Sequence, residues 1–195
     1  MKLLASLASP HTRKVRVVLA EKKMDYELEI VDVAPAENPV NRHNPLGKIP
    51  TLVLDDGSAL YDSRVIVEFL DQASPLNRLF PADIRERVQM RRWEALADGV
   101  VDAGMLVRAG FQLEKQLARM HRGMARLAAD LEGRPWCQGE RYSLADVALG
   151  CCVGWLGFRK PGDVDWPSEY PVLARHYQKL LERPAFADTV PQAKN

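Results

Sequence analysis

The sequence predicts two domains, an α/β domain followed by an all-helical domain. Strand and helix signals alternate through about the first eighty residues. A linker rich in proline and asparagine follows, and beyond it only helical apolar spacing continues. A mixed α/β segment followed by a purely helical one is typical of two separate folding units. We therefore expect domains at residues 1–74 and 85–195, joined by a linker at residues 75–84.

In the first domain, the expected order of elements is β-α-β-α-β-β-α. Residues 2–4 form a short strand, and a helix over about residues 11–23 follows Pro10. Proline is favourable at the first turn of a helix, because its missing N–H would be unpaired there anyway. Residues 26–33 alternate like a half-buried strand. A short irregular helix is expected in the stretch rich in proline and asparagine at residues 35–45.

The last part of this domain is predicted to be a hairpin and a helix. Residues 51–54 are rich in β-forming side chains, and the Asp56-Gly57 pair is a strong hairpin signal. Residues 58–60 form the return strand. A helix with one apolar face follows over residues 64–72.

The second domain is predicted to contain five helices. Apolar residues recur at helical spacing over residues 85–108, 114–131, 143–158 and 171–182. Pro184 opens a last short helix.

Composition excludes several classes of protein. Hydrophobic residues make up 47% and charged residues 27% of the chain, and the formal net charge is +1, so no overall field attracts nucleic acid or an anionic membrane. No stretch is long enough to span a bilayer, and the apolar start is too short for a signal peptide. The three cysteines lack C-x-x-C spacing and the four histidines lack metal-ligand spacing. We expect a cytoplasmic protein without a metal.

The first candidate motif is Ser9 followed by Pro10, at the start of the first helix. The unpaired N–H groups and the dipole of a helix N-terminus favour an anion. If that anion is a thiolate, a hydroxyl hydrogen bond also stabilises it, and the thiol pKa falls below its free value of about 8.5. A serine in this position can equally act only as a helix cap.

The second motif is N-P-L-G-K-I-P-T, residues 44–51. A proline that enters a strand removes a donor from the ladder. A cis bond between Ile49 and Pro50 would turn the chain and expose the Ile49 backbone to a peptide-like substrate, which could bind as an added strand. A trans proline in an edge strand is the alternative.

The third motif places Asp62 and Ser63 at the start of a helix. An acid or a hydroxyl in this position commonly caps the helix. Ser63 and the helix N–H groups could also bind a carboxylate while Asp62 pairs with an ammonium group. Together they would recognise the zwitterion of an amino acid.

The order and spacing of these motifs resemble the cytosolic glutathione transferase family over essentially the whole chain. The matching pieces are S-P-x-x-R-K-V-R from Ser9, N-P-L-G-K-I-P-T-L from Asn44, D-S-R-V-I from Asp62 and Y-S-L-A-D-V from Tyr142. The chain is similar to bacterial members and to the plant-type classes that use serine. The resemblance implies a thioredoxin-like glutathione-binding domain followed by an all-α domain, which is the glutathione-transferase fold.

The resemblance also implies roles for single residues. Ser9 matches the catalytic serine. Ile49, ahead of a cis-Pro50, matches the residue whose backbone pairs with the cysteinyl part of glutathione. Asp62 and Ser63 match the acid and the hydroxyl that bind the γ-glutamyl end.

Three further residues carry implied roles. Lys48 stands where some classes place a lysine on the glycyl carboxylate. Ser143 and Asp146 match the family's capping box, which supports folding. Glutathione is then the co-substrate, no metal is needed, and the chain forms a homodimer.

The pocket for the second substrate follows from the same resemblance, because the family lines it with the first loop and the first helix of the helical domain. The candidates are His11, Trp93, Ala97, Val101 and Met105. Most of them lie on an apolar stripe, so packing in the core is the alternative for each. His11 replaces the aromatic residue of many relatives and its role stays open. Thr12 is a second hydroxyl that could replace Ser9.

The implied function is conjugation of the glutathione thiolate to a small hydrophobic electrophile, a detoxifying reaction. A serine instead of a cysteine at position 9 argues against thiol-transferase activity. One alternative is a non-catalytic binding or regulatory protein of the stringent-starvation type. Another is a glutathione-dependent isomerase, dehalogenase or peroxidase.

Overall fold

The computed structural model describes residues 1–193, which form two compact units. The first unit contains Met1–Arg78 together with the last described residues from Asp188, and the second contains Leu79–Ala187. Each unit has its own secondary-structure class, α/β in the first and helical in the second.

The first unit is built on a single mixed sheet. Its strands are β1 Lys2–Ala5, β2 Glu27–Ile30, β3 Thr51–Val53 and β4 Ala59–Leu60. They lie in the order β2-β1-β3-β4, with β1 parallel to β2 and antiparallel to β3, and with β3 antiparallel to β4. The two central strands, β1 and β3, contribute buried apolar side chains to the core, and their pairing places Leu3 opposite Leu52.

Two helices belong to this unit, α1 Pro10–Glu21 and α2 Ser63–Ala73, and they pack against each other. Their apolar faces and the strands share a core whose side chains are fully buried. Its members include Leu3, Val15, Leu52, Ile66 and Leu70, whereas Leu4 packs with Val31 and Val40. Proline occupies the first position of α1, as expected for a residue that has no N–H to leave unpaired.

The helix expected at residues 35–45 is absent, because the part of the chain that the structure describes has no helix between β2 and β3. Asparagine side chains bond the local backbone there instead. Asn38 Nδ2 donates to Pro35 O at 3.2 Å, and Asn41 Nδ2 donates to Ala36 O at 2.8 Å. Such bonds compete with helical ones, and the prolines of this stretch lack a donor.

The end of the described chain returns to the first unit. The backbone N–H of Gln192 donates to Leu7 O at 3.3 Å, and Arg16 Nη2 donates to Asp188 O at 3.4 Å. The predicted range 85–195 assigned this segment to the helical domain. Its polar groups find their partners in the first unit instead, and residues 194–195 lie outside the described residues.

The second unit contains every helix predicted for it and two short additional pieces. The helices are α3 Ile84–Arg108, α4 Leu113–Leu131, α5 Leu144–Arg159, α6 Trp166–Glu169, α7 Pro171–Leu181 and α8 Pro184–Ala187, with a 3₁₀ turn at Pro161–Asp163. Most of α5 is buried, and α3 and α7 pack against it. No described helix combines the length and the apolar character needed to cross a membrane.

Candidate active site

Sheet topology brings the three predicted motifs to one edge of the first unit. Ser9 follows the end of β1. Since β3 is antiparallel to β1, with Leu4 opposite Thr51, the residues just before Thr51 lie beside that end. β4 is antiparallel to β3, with Leu52 opposite Leu60, so the chain leaves β4 for α2 at the same edge. The pairing thus gathers stretches that are distant in sequence.

Ser9 is the N-cap of α1. Its backbone is extended, with φ −85° and ψ 126°, and its Oγ accepts a hydrogen bond from the Thr12 N–H at 3.2 Å. The side chain is half-buried. A serine hydroxyl has one proton and two lone pairs, so capping uses one lone pair and leaves the proton for another acceptor. The two roles considered for Ser9 are therefore compatible.

Thr12, the other hydroxyl of this loop, is fully buried. Its Oγ1 has no hydrogen-bond partner among the residues that the structure describes. A ligand that approaches the N-terminus of α1 therefore reaches the Ser9 hydroxyl more easily. Burial, which the sequence does not reveal, favours Ser9 over Thr12.

The second motif contains a cis peptide bond between Ile49 and Pro50. The backbone N–H and C=O of Ile49 have no hydrogen-bond partner in the described chain. Pro50 is buried and Lys48 is exposed. An extended ligand could thus pair with the Ile49 backbone, and a lysine beside it is free to reach an anion.

Asn44 holds this loop together, a role that sequence reasoning missed. It is 2% exposed, and its Nδ2 donates to Lys48 O at 2.9 Å while its Oδ1 accepts from the Leu46 N–H at 3.0 Å. The Thr51 hydroxyl donates to the same Lys48 O at 2.9 Å. The Asn-Pro pair was a visible turn signal, but these partners depend on the fold. Asn44 positions the loop before β3.

The third motif forms the N-terminus of α2. Asp62 is the N-cap, and its Oδ1 accepts from the Arg64 N–H at 2.9 Å. The preceding Tyr61–Asp62 peptide bond is also cis. Ser63 begins the helix and is 3% exposed. The N–H groups of Ser63 and Val65 have no partner within the described chain, so this helix start offers donors to an anion beside an exposed carboxylate.

The predicted residues of the electrophile pocket differ in exposure. In the second unit, Trp93, Ala97 and Val101 are 3%, 1% and 2% exposed, whereas Met105 is 37% exposed. His11, in the first unit, is half-buried. The three buried side chains contribute to the packing of α3, and a role for this set in binding a substrate stays a prediction.

A buried polar cluster in the second unit has the form of the predicted capping box. Asp146 accepts from the backbone N–H groups of Cys137 at 2.8 Å and Ser143 at 2.9 Å. His176 Nε2 lies 3.1 Å from Asp146 Oδ1. Burial, and then the Asp146 carboxylate, raise the pKa of the Cys137 thiol well above its ordinary value.

The described chain has one group of three side chains whose possible metal-ligand atoms lie within 4.8 Å of one another. It consists of Cys137, Asp146 and His176. The backbone donors on Asp146 already account for the position of its carboxylate. The cluster therefore joins the start of α5 to the preceding loop and to α7.

Family models match both units. The model of the glutathione S-transferase N-terminal domain matches residues 8–73, and that of the C-terminal domain matches residues 107–179. The uncharacterized GST-like protein YibF of Escherichia coli K12 is 36% identical, over 98% of each chain.

Two solved structures are similar over almost their whole length. A glutathione S-transferase from Methylobacillus flagellatus KT, with glutathione bound, is 50% identical with a TM-score of 0.93, over 98% of this chain and 99% of that one. A glutathione S-transferase from Methylobacterium radiotolerans JCM 2831, in complex with glutathione sulfonate, is 37% identical with a TM-score of 0.92, over 100% of this chain and 96% of that one. These similarities confirm the fold class that the sequence predicts.

Proposed function

The chain belongs to the glutathione S-transferase family, and from this membership and the geometry of its site we propose that it joins the glutathione sulfur to a small hydrophobic electrophile. The observation that carries the proposal is the meeting of three motifs at one sheet edge. They are the Ser9 hydroxyl, the unpaired Ile49 backbone and the N-terminus of α2 with Asp62 and Ser63.

Each motif takes one part of glutathione in this proposal. The exposed Asp62 carboxylate pairs with the γ-glutamyl ammonium group, and Ser63 with the free N–H groups of α2 binds the γ-glutamyl carboxylate. The Ile49 backbone pairs with the cysteinyl part as an added strand. Lys48 is free to reach the glycyl carboxylate. This arrangement directs the cysteinyl sulfur toward Ser9.

Ser9 then acts on the sulfur. Its hydroxyl donates a hydrogen bond to the thiolate, and the N-terminus of α1 adds a favourable field, so both stabilise the charged form. The thiolate attacks the electrophilic carbon, a C–S bond forms, and either a leaving group departs or a proton is added to the product. The complex of the Methylobacterium radiotolerans relative with glutathione sulfonate supports this role, because a sulfonate places negative charge where the thiol stands.

We also propose that the protein works in the cytoplasm as a homodimer that detoxifies electrophiles. Large apolar side chains are exposed on the first unit, among them Tyr61 at 37%, Val65 at 48% and Leu76 at 49%. Burial of such side chains against a second copy is favourable. Sedimentation at twice the mass of the chain supports the dimer, and sedimentation at the mass of one chain contradicts it.

Calorimetric titration with reduced glutathione tests the proposed function, together with an electrophile panel that includes aryl halides, isomerisable acids and peroxides. The protein is expected to bind glutathione, to lose that binding in Ser63→Ala, and to form thioether products. Binding without any product indicates a non-catalytic member of the family. Products other than thioethers indicate an isomerase or a peroxidase. The absence of binding at millimolar glutathione contradicts the proposal.

A further inference from the structure

Two arginines in the second unit lie at the ends of neighbouring helices. Arg108 is the last residue of α3, and Arg159 is the last residue of α5. A Cβ on Gly104 would lie 2.8 Å from the Trp155 ring, and these two residues each precede one of the arginines by about one turn.

The two helices run in the same direction, which brings the arginines together. Six residues before Gly104, Asp98 on α3 lies near Cys152 on α5, where burial, and then this carboxylate, raise the pKa of the thiol. The two helices therefore lie side by side from their middles to their C-terminal ends. Burial and the positive charge of Arg108 lower the pKa of Arg159, as expected for neighbouring guanidinium groups.

Neither guanidinium has an ion pair or a hydrogen bond in the described part of the chain. The Nε of Arg159 is buried and has no partner. The next residue, Lys160, is exposed and adds a third positive charge. The helix dipoles stabilise both arginines, but they give no acceptor to the buried Nε of Arg159, and the Arg108 side chain is exposed. An anion beside the two guanidinium groups would offset their repulsion and accept hydrogen bonds from both.

Apolar side chains also lie beside the pair. Met105, three residues before Arg108 and therefore on the same side of α3, is 37% exposed, and Leu106 is 36% exposed. The Arg159 guanidinium stacks over the Phe158 ring at 4.6 Å from its centroid. A fitting ligand has an apolar body, which an aromatic ring provides, and one carboxylate.

We propose that Arg108 and Arg159 form a site that binds the carboxylate of an aromatic or other apolar acid, in preference to the neutral analogue of that acid. The inference goes beyond the proposed function, because every residue that it uses lies in the second unit.

The first test compares binding of 3-nitrobenzoate with binding of 3-nitrobenzamide, which differ in charge and hardly in size. Arg159→Gln and Arg108→Gln are each expected to weaken binding of the acid roughly tenfold to hundredfold, the loss of a charge-assisted hydrogen bond, and to leave binding of the amide within about twofold. Arg85→Gln is the matched control, because it removes the same charge from the other end of α3. Equal losses for acid and amide, or no loss for the acid, overturn the proposal.

The second measurement makes the test independent of the transferase activity. Calorimetric titration with 3-nitrobenzoate, without glutathione, measures the carboxylate site alone, and 3-nitrobenzamide is its neutral control. The protein and Arg85→Gln are expected to bind the acid roughly tenfold or more tightly than Arg159→Gln does, while circular dichroism shows that the variant is folded. If conjugation fails but this difference appears, the arginine site stands and the transferase proposal falls. If the acid binds no better than the amide, the arginine site is wrong even when conjugation succeeds.

Discussion

At the residue scale, the Ser9 hydroxyl caps a helix and is also the group that we propose for contact with the glutathione sulfur. Its oxygen caps α1 by accepting from the Thr12 N–H, and its proton is available for the contact with a thiolate that we propose. The motif S-P-x-x-R pointed to this serine, but the choice between Ser9 and Thr12 required burial, which only the fold determines. Sequence patterns therefore located the loop, and the burial of Thr12 favours Ser9 as the hydroxyl that we propose for contact with the thiolate.

Ser9→Ala removes the donor to the thiolate and the helix cap together. Loss of a hydrogen bond to a charged group costs about 1.5–3 kcal/mol, so kcat is expected to fall roughly 10- to 100-fold. Glutathione affinity is expected to stay within about threefold, because the other contacts remain. Initial rates and calorimetry measure the two quantities, and Ser9→Thr, which keeps a hydroxyl, is the control. Equal losses of rate and affinity would show that Ser9 is only structural.

Asp62→Ala separates recognition of the ammonium group from capping, because the chain offers a matched cap. Asp83 caps α3 through the N–H groups of Arg85 and Glu86, as Asp62 caps α2. Each substitution is expected to lower the free energy of unfolding by about 1 kcal/mol. Only Asp62→Ala is expected to weaken glutathione binding, roughly tenfold or more. Similar binding by both variants would remove Asp62 from the site.

At the scale of elements, long periodic segments were predictable and short or irregular ones were not. Apolar spacing over several turns located α3, α4 and α5 within a residue or two of their bounds. The 3₁₀ turn and α6 are three and four residues long, too short for a period to appear. The prediction of a short helix in residues 35–45 is wrong, because asparagine side chains bond to the local backbone there in place of helical hydrogen bonds.

The prediction at the scale of elements concerns Asn44 in the loop before β3. Asn44→Ala leaves the Leu46 N–H without its side-chain partner and Lys48 O with the Thr51 hydroxyl alone, and it should lower the free energy of unfolding by about 2–3 kcal/mol. Glutathione affinity should fall with it, because the loop that presents Ile49 loosens. Urea denaturation and calorimetry measure the two effects. Asn41→Ala is the control, because its two side-chain bonds, to Ala36 O and Glu37 Oε2, are exposed. An equal effect from this variant would show that Asn44 does not position the loop.

At the scale of the whole molecule, the residues with predicted or proposed roles are divided between the two units. The first unit contains all the residues predicted to bind glutathione, and the second contains the α3 candidates and the arginine pair. The sequence indicated this division through the point where strand signals end. It could not show that the last described residues return to the first unit, because that depends on single hydrogen bonds between distant residues.

The buried thiols of the second unit make the stability of the molecule depend on pH. Burial, and then nearby carboxylates, raise the pKa values of Cys137 and Cys152 well above 9.0. Above that pH the unfolded chain loses thiol protons that the folded chain keeps, so the free energy of unfolding should fall as pH rises. Thermal unfolding from neutral to alkaline pH measures this fall, and Cys152→Ala should reduce it. An unchanged fall in this variant would exclude Cys152 as a cause.

The central claim is that Ser9 stabilises the thiolate of bound glutathione. Ultraviolet absorbance of the thiolate, followed against pH in saturated complexes of the protein and of Ser9→Ala, measures it most directly. We expect the pKa of the bound thiol to lie well below its free value of about 8.5 in the protein and to return toward that value in the variant. Equal pKa values in the two complexes, or no bound thiolate at neutral pH, would contradict the account.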